Sequence, residues 1–108
     1  MNQEQFSMRF KGVLQECINI AMKKNHDYAT GEDALANFRE FGSFGVAVRL
    51  SDKMKRLINF AKGGQLQVKD ESIKDTCMDI INYAAIYIIM KEEEKEEVPN
   101  LGTGCYDE

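Results

Sequence analysis

Residues 71–90 read ESIKDTCMDIINYAAIYIIM, and this stretch decides the fold. From Cys77 to Met90 it is apolar on nearly every side of a helix. A helix that is hydrophobic all round must be buried all round. The run is too short for a membrane span, and Asp79 and Asn82 interrupt it. A single small bundle can hardly enclose such a segment. A second subunit is therefore expected to cover part of it, most simply in a homodimer, although dimer and tetramer stay open. Asp70, Glu71 and Ser72 place acceptors and negative charge at its start, as the helix dipole favours. The helix is predicted to run to about Glu96. Pro99 stops it, so residues 1–98 form one domain and 99–108 a loose tail.

Working backward along the chain, a second helix is predicted over about Phe44–Lys62, with Ser43 as its N-cap and Gly63-Gly64 as its end. Ala47, Leu50, Met54, Leu57, Ile58 and Ala61 make its apolar stripe, with Arg49, Asp52, Lys53 and Arg56 on another face. A short helix is predicted over Glu32–Phe41, edged by Ala34, Leu35, Phe38 and Phe41 and stopped by Gly42. The first helix is predicted from about Glu4 to Asn25. Its positions Phe6, Phe10, Val13, Leu14, Cys17, Ile18 and Ala21 follow the helical apolar spacing. No strand pattern is convincing. The expectation is an all-α four-helix bundle assembled as a homo-oligomer.

The chain has 108 residues, 30% of them charged, and a net charge of −4. That balance argues against a partner with a phosphate polymer backbone, so no nucleic acid polymer is expected. It leaves room for a local basic patch around a small anion. Three cysteines without CxxC spacing argue against a disulfide scaffold and fit a reducing, cytoplasmic compartment. The polar opening MNQEQFSMRF does not read as a signal peptide, and no membrane association is expected.

Glu71, Asp75, Asp79 and Asn82 fall within about 80° of one another on a helix, forming one polar ridge on the greasiest segment. Asp79 is flanked by Met78, Ile80 and Ile81. A buried carboxylate costs several kcal/mol unless it is paired. Its partner is either a protein cation, such as Arg49, Lys53 or Arg56, or a hard divalent metal that also bridges to phosphates. Three carboxylates on one face favour Mg²⁺; a buried ion-pair network is the plain alternative. Arg49, Lys53 and Arg56 suit phosphate, as a planar fork or as a point charge. The plain alternative there is a solvated helix face. Lys24-Asn25-His26-Asp27-Tyr28 places a base-contacting aromatic, or a simple turn, beside a Gly-containing loop.

Three runs together resemble the nucleotide modification associated domain 1 family. They are Lys24-x-x-Asp27-Tyr28; Gly45 through Leu57, GVAVRLSDKMKRL; and Val68 through Tyr83, carrying Asp70-Glu71-Ser72, Asp75-Thr76, Asp79 and Asn82-Tyr83. That family is similar to the all-α MazG-like nucleoside triphosphate pyrophosphohydrolases. The resemblance implies an oligomeric helical bundle in which acidic side chains hold Mg²⁺ on nucleotide phosphates and water cuts the α–β link. Carried over, Glu71, Asp75 and Asp79 are implied as metal ligands, and Asp52 and Asp79 as catalytic. Arg49, Lys53, Arg56 and Lys24 are implied at the phosphates; Tyr28, Asn82, Tyr83 and Asp27 at base or sugar. The earlier helix carries one acid, Asp52, where MazG-like enzymes have an ExxE-type pair. Fewer acids and more bases imply weaker metal binding and direct phosphate contacts. Three functions follow as expectations: a Mg²⁺-dependent nucleotide pyrophosphohydrolase, a protein that sequesters a nucleotide or cyclic-nucleotide signal without chemistry, and a structural bundle that binds a protein.

Overall fold

A computed structural model describes residues 1–28, 33–63 and 72–97. It contains α1 (Gln3–Tyr28), a single 3-10 turn (Ala36–Phe38), α2 (Gly42–Ala61) and α3 (Ile73–Glu97). Among the described residues there is no strand. The all-helical class stands, and the described residues hold three α-helices, the short helix expected over 32–41 being a 3-10 turn where it is described. The proposed tail, 99–108, lies outside the described residues.

The short helix expected over 32–41 is the element that changes. Asp33 accepts the Leu35 amide on its side chain at 3.1 Å. The next amides bond three residues back: Ala36 to the Asp33 carbonyl, Phe38 to Leu35 and Arg39 to Ala36. A side chain that captures the backbone in this way favours a tight turn over an α-helix. A segment this short also lacks the length for cooperative helix propagation. Gly42 then turns the chain with φ +62°, a conformation glycine adopts without strain.

Helix ends follow local chemistry. Ser72 and Asp75 form a reciprocal cap on α3: the Ser72 hydroxyl accepts the Asp75 amide at 3.0 Å, and the Asp75 carboxylate accepts the Ser72 amide at 3.2 Å. Asn2 and Gln5 do the same for α1. Ser43 is not the cap expected for α2, which starts two residues earlier, at Gly42 after Phe41, with no side-chain cap bond. Its hydroxyl instead bonds Glu94 of α3 and holds that carboxyl below its ordinary range. Gly63, at φ +93°, closes α2 as expected. α1 continues about one turn past its predicted end, through Tyr28.

α2 packs along α3, and α1 leans on α3 through fewer contacts. The inward face of α2 is Val46, Leu50, Lys53 and Leu57, at spacings of four, three and four. This face is rotated from the expected stripe, leaving Met54 and Ile58 exposed. The rotation brings Lys53 to Asp79, one of the cation partners that the sequence offered for it. α1 meets α3 at three polar points: Lys74 to Glu16 at 3.1 Å, the Asn82 amide to the Cys17 carbonyl at 3.0 Å, and Lys24 to Asp79 at 3.3 Å.

Among the described residues few side chains are fully enclosed: Cys17, Val46, Met78 and Met90, with Thr76 among the polar ones. The expectation that α3 is covered all round fails within one chain, since Ile88 and Ile89 are half exposed. Phe6, Phe10, Val13, Leu14 and Ile18 of α1 also face outward. Among the described residues, no helix is long and apolar enough to cross a membrane.

Candidate functional site

The C-terminal half of α1, the turn at 33–38, Arg49 of α2 and the middle of α3 enclose a cavity of about 520 Å³. This lies in the range of small-molecule sites. Its apolar wall includes Leu35, Phe38, Tyr83 and Ile86. Phe38 and Tyr83 meet edge to face at 6.5 Å, an arrangement their quadrupoles favour.

The polar wall is built around Asp79. Its carboxylate is largely covered, and each oxygen meets one ammonium: Lys24 at 3.3 Å and Lys53 at 3.0 Å. Lys53 is as covered as Asp79, whereas Lys24 is more than half exposed. Arg49 differs from both lysines. Its guanidinium lies over the Phe38 ring at 5.2 Å, and among the described residues no carboxylate pairs with it. It therefore presents its donors in the cavity with one face resting on an aromatic ring. The Asn82 side-chain amide is committed to the Cys17 carbonyl, which leaves its own oxygen as an acceptor at the cavity wall.

Arg39 fastens the turn over this space. It binds both oxygens of Asp33, at 2.7 and 3.0 Å, and both oxygens of Glu93 on α3. The hydrogen bonds with Asp33 and then Glu93 raise the Arg39 pKa, and the same bonds hold the Asp33 and Glu93 carboxyls below their ordinary values. Nearby, burial, then the charges of Glu16 and Asp79, push the Cys17 thiol up, so it stays protonated and unreactive.

Of the residues singled out from sequence, Lys24, Arg49, Asp79, Asn82 and Tyr83 line one cavity, and Lys53 reaches Asp79 from behind it. Asp52 and Arg56 pair with each other at 3.4 Å and do not line the cavity. Asp75 caps α3 rather than facing the cavity. Glu71 and the side chains of Asp27 and Tyr28 lie outside what the structure describes. Phe38, Arg39, Asp33 and Glu93 are additions. In the sequence Phe38 is only part of a helix edge, and Glu93 only part of an acidic helix end.

Among the described residues, the carboxylates singled out as metal ligands already have protein partners, while Glu71 lies outside the described residues. Both oxygens of Asp79 face lysines, and Asp75 is bound by a backbone amide. Among the described residues no three His, Cys, Asp or Glu side chains converge where they could hold a metal ion. The described residues do not form the oxygen cage that a hard cation requires.

The described residues form an all-helical domain with a cavity walled by aromatic and charged side chains. The sequence pattern described as nucleotide modification associated domain 1 matches residues 24–90, so the chain belongs to that family. No curated protein and no solved structure matches it.

Proposed function

We propose that the cavity binds a nucleotide, with Arg49 and Lys24 at the phosphate and Phe38 and Tyr83 against the base. Lys53 holds Asp79 in place, and the Asn82 oxygen accepts from sugar or base. The carrying observation is Arg49, a guanidinium seated on an aromatic ring inside a cavity with no carboxylate partner among the described residues. Such a group suits an incoming phosphate, which its planar fork matches. Membership of a nucleotide-related family points the same way. The two lysines on the Asp79 oxygens support reading Asp79 as a charge partner in a binding site.

The test is a thermal-shift and calorimetric titration of nucleotides, each in EDTA and in Mg²⁺. A ligand at a hundred times its Kd stabilises the folded state by about 2.7 kcal/mol, well within reach of this assay. Binding in EDTA that Arg49→Met abolishes supports the reading. A panel in which no nucleotide moves the melting temperature removes it. Release of pyrophosphate only in Mg²⁺ would shift the reading to a pyrophosphohydrolase.

We also propose that the working form is a homodimer. Phe6, Phe10, Val13 and Leu14 on α1, with Ile88 and Ile89 on α3, are large apolar side chains facing water. An exposed apolar area of this kind marks an association surface.

A further inference from the structure

A second cavity, of about 360 Å³, opens at the start of α2 on the other side of Arg49. Asn37, Phe38 and Arg49 line both cavities, so a single guanidinium borders two spaces at once. The other walls of the second space include Phe41, Phe44 and Val48, with Glu40 at its edge. Phe41 and Phe44 are 70% and 76% exposed, an open aromatic surface rather than packed core. Gly45 shapes it: a Cβ there would come within 2.6 Å of the Phe41 Cβ, so only glycine lets that ring lie against the first turn of α2.

Charge narrows the ligand. Lys24, Lys53, Arg39 and Arg49 stand against Asp33, Asp79 and Glu93 at the larger cavity and Glu40 at the second, four cations to four carboxylates, and of these four cations Arg49 alone has no carboxylate partner among the described residues. That one cation matches an anion with a single negative charge better than a triphosphate. An anion with one charge that sits on a guanidinium between two aromatic-walled spaces has a definite chemistry. Accordingly, we infer that the ligand is a dinucleoside phosphodiester, with its bridging phosphate on Arg49 and one base in each cavity. Bases stack on aromatic side chains without needing edge recognition. This rests on the reading that the larger cavity takes a nucleotide.

The experiment is calorimetry on the full chain in EDTA. The probes are the four homo-dinucleoside monophosphates and the matching mononucleotides. A base stacked in the second cavity is expected to tighten the best dinucleotide about 10-fold over its mononucleotide. Phe44→Ala, an exposed ring whose loss leaves the core intact, is expected to bring that ratio to about one. Equal affinities in the wild type, or a ratio that Phe44→Ala does not change, overturn the second subsite while leaving mononucleotide binding in place. A wild type that binds neither class overturns the nucleotide reading together with it. Loss of self-association in Phe44→Ala with the ratio intact assigns the ring to a protein contact and also overturns the subsite.

Discussion

Asp79→Asn separates two uses of one carboxylate. In the structure Asp79 lies between Lys53 at 3.0 Å and Lys24 at 3.3 Å. The Lys53 pair is the costly one to break, because both side chains are about five-sixths covered, at 16% and 17% exposure. Removing one partner of a fully buried pair costs about 3–5 kcal/mol, and this pair borders a cavity, so about 2 kcal/mol is the reasonable figure. The Lys24 pair, more than half exposed on the lysine side, adds less than about 1 kcal/mol. The sum of roughly 2–3 kcal/mol corresponds to a melting temperature lower by about 10–20 °C. Affinity is expected to move the other way. Two ammonium groups lose their internal counter-charge, so a phosphate in the cavity meets more positive potential. At an effective dielectric near that of a protein surface this is worth about 1 kcal/mol, roughly fivefold in Kd. Urea unfolding followed by circular dichroism gives the first quantity, and calorimetry in EDTA below the melting transition gives the second. If Asp79 serves to hold a metal on the phosphates, the variant instead loses the nucleotide binding that the wild type shows in a parallel titration with Mg²⁺. That outcome, in a folded protein, refutes an ion-pair role for Asp79.

The Arg39 clamp sets an acid sensitivity. Its bonds hold Asp33 and Glu93 below their ordinary values of 3.8 and 4.5, so they contribute stability above those values, and it fades as pH falls through the lowered ones. Arg39→Gln is expected to flatten the pH dependence of the urea midpoint below about pH 4.5, as measured across an acid series. Ser72→Ala removes one half of the reciprocal α3 cap and is expected to cost about 1 kcal/mol, read from the same urea curves. Leu14→Glu places a charge on the exposed apolar face of α1. Light scattering coupled to size exclusion is expected to show the wild type at twice the mass of one chain and the variant at one chain mass. A wild type that elutes as a single chain excludes the dimer.

Much of the framework is legible because helices announce themselves locally. The apolar spacing in 4–25 and 44–62 marks two of the three α-helices with small errors at their ends. Ser72 and Gly63 mark boundaries through bonds that span only a few residues. The segment 32–41 misleads because its apolar spacing is compatible with a helix, while Asp33 commits its side chain to the backbone and tightens the chain into a turn. The polar residues of α2 look like one face in the sequence, yet the fold separates them. Lys53 turns inward to Asp79, Arg49 lies on Phe38, and Asp52 with Arg56 remains outside the cavity.

The sequence by itself determined an all-helical chain, its family, and the presence of a charged ridge on the most apolar helix that needed cationic partners. Only the tertiary structure decided which cations those were, and that Phe38 and Glu93 share a cavity with Lys24 and Arg49 under the Arg39 clamp. The reason is physical. Helix periodicity and caps arise from bonds between neighbours along the chain, whereas the partner of a carboxylate is chosen by the rotation of one helix against another. That rotation follows from how the covered side chains of α2 and α3 fit together.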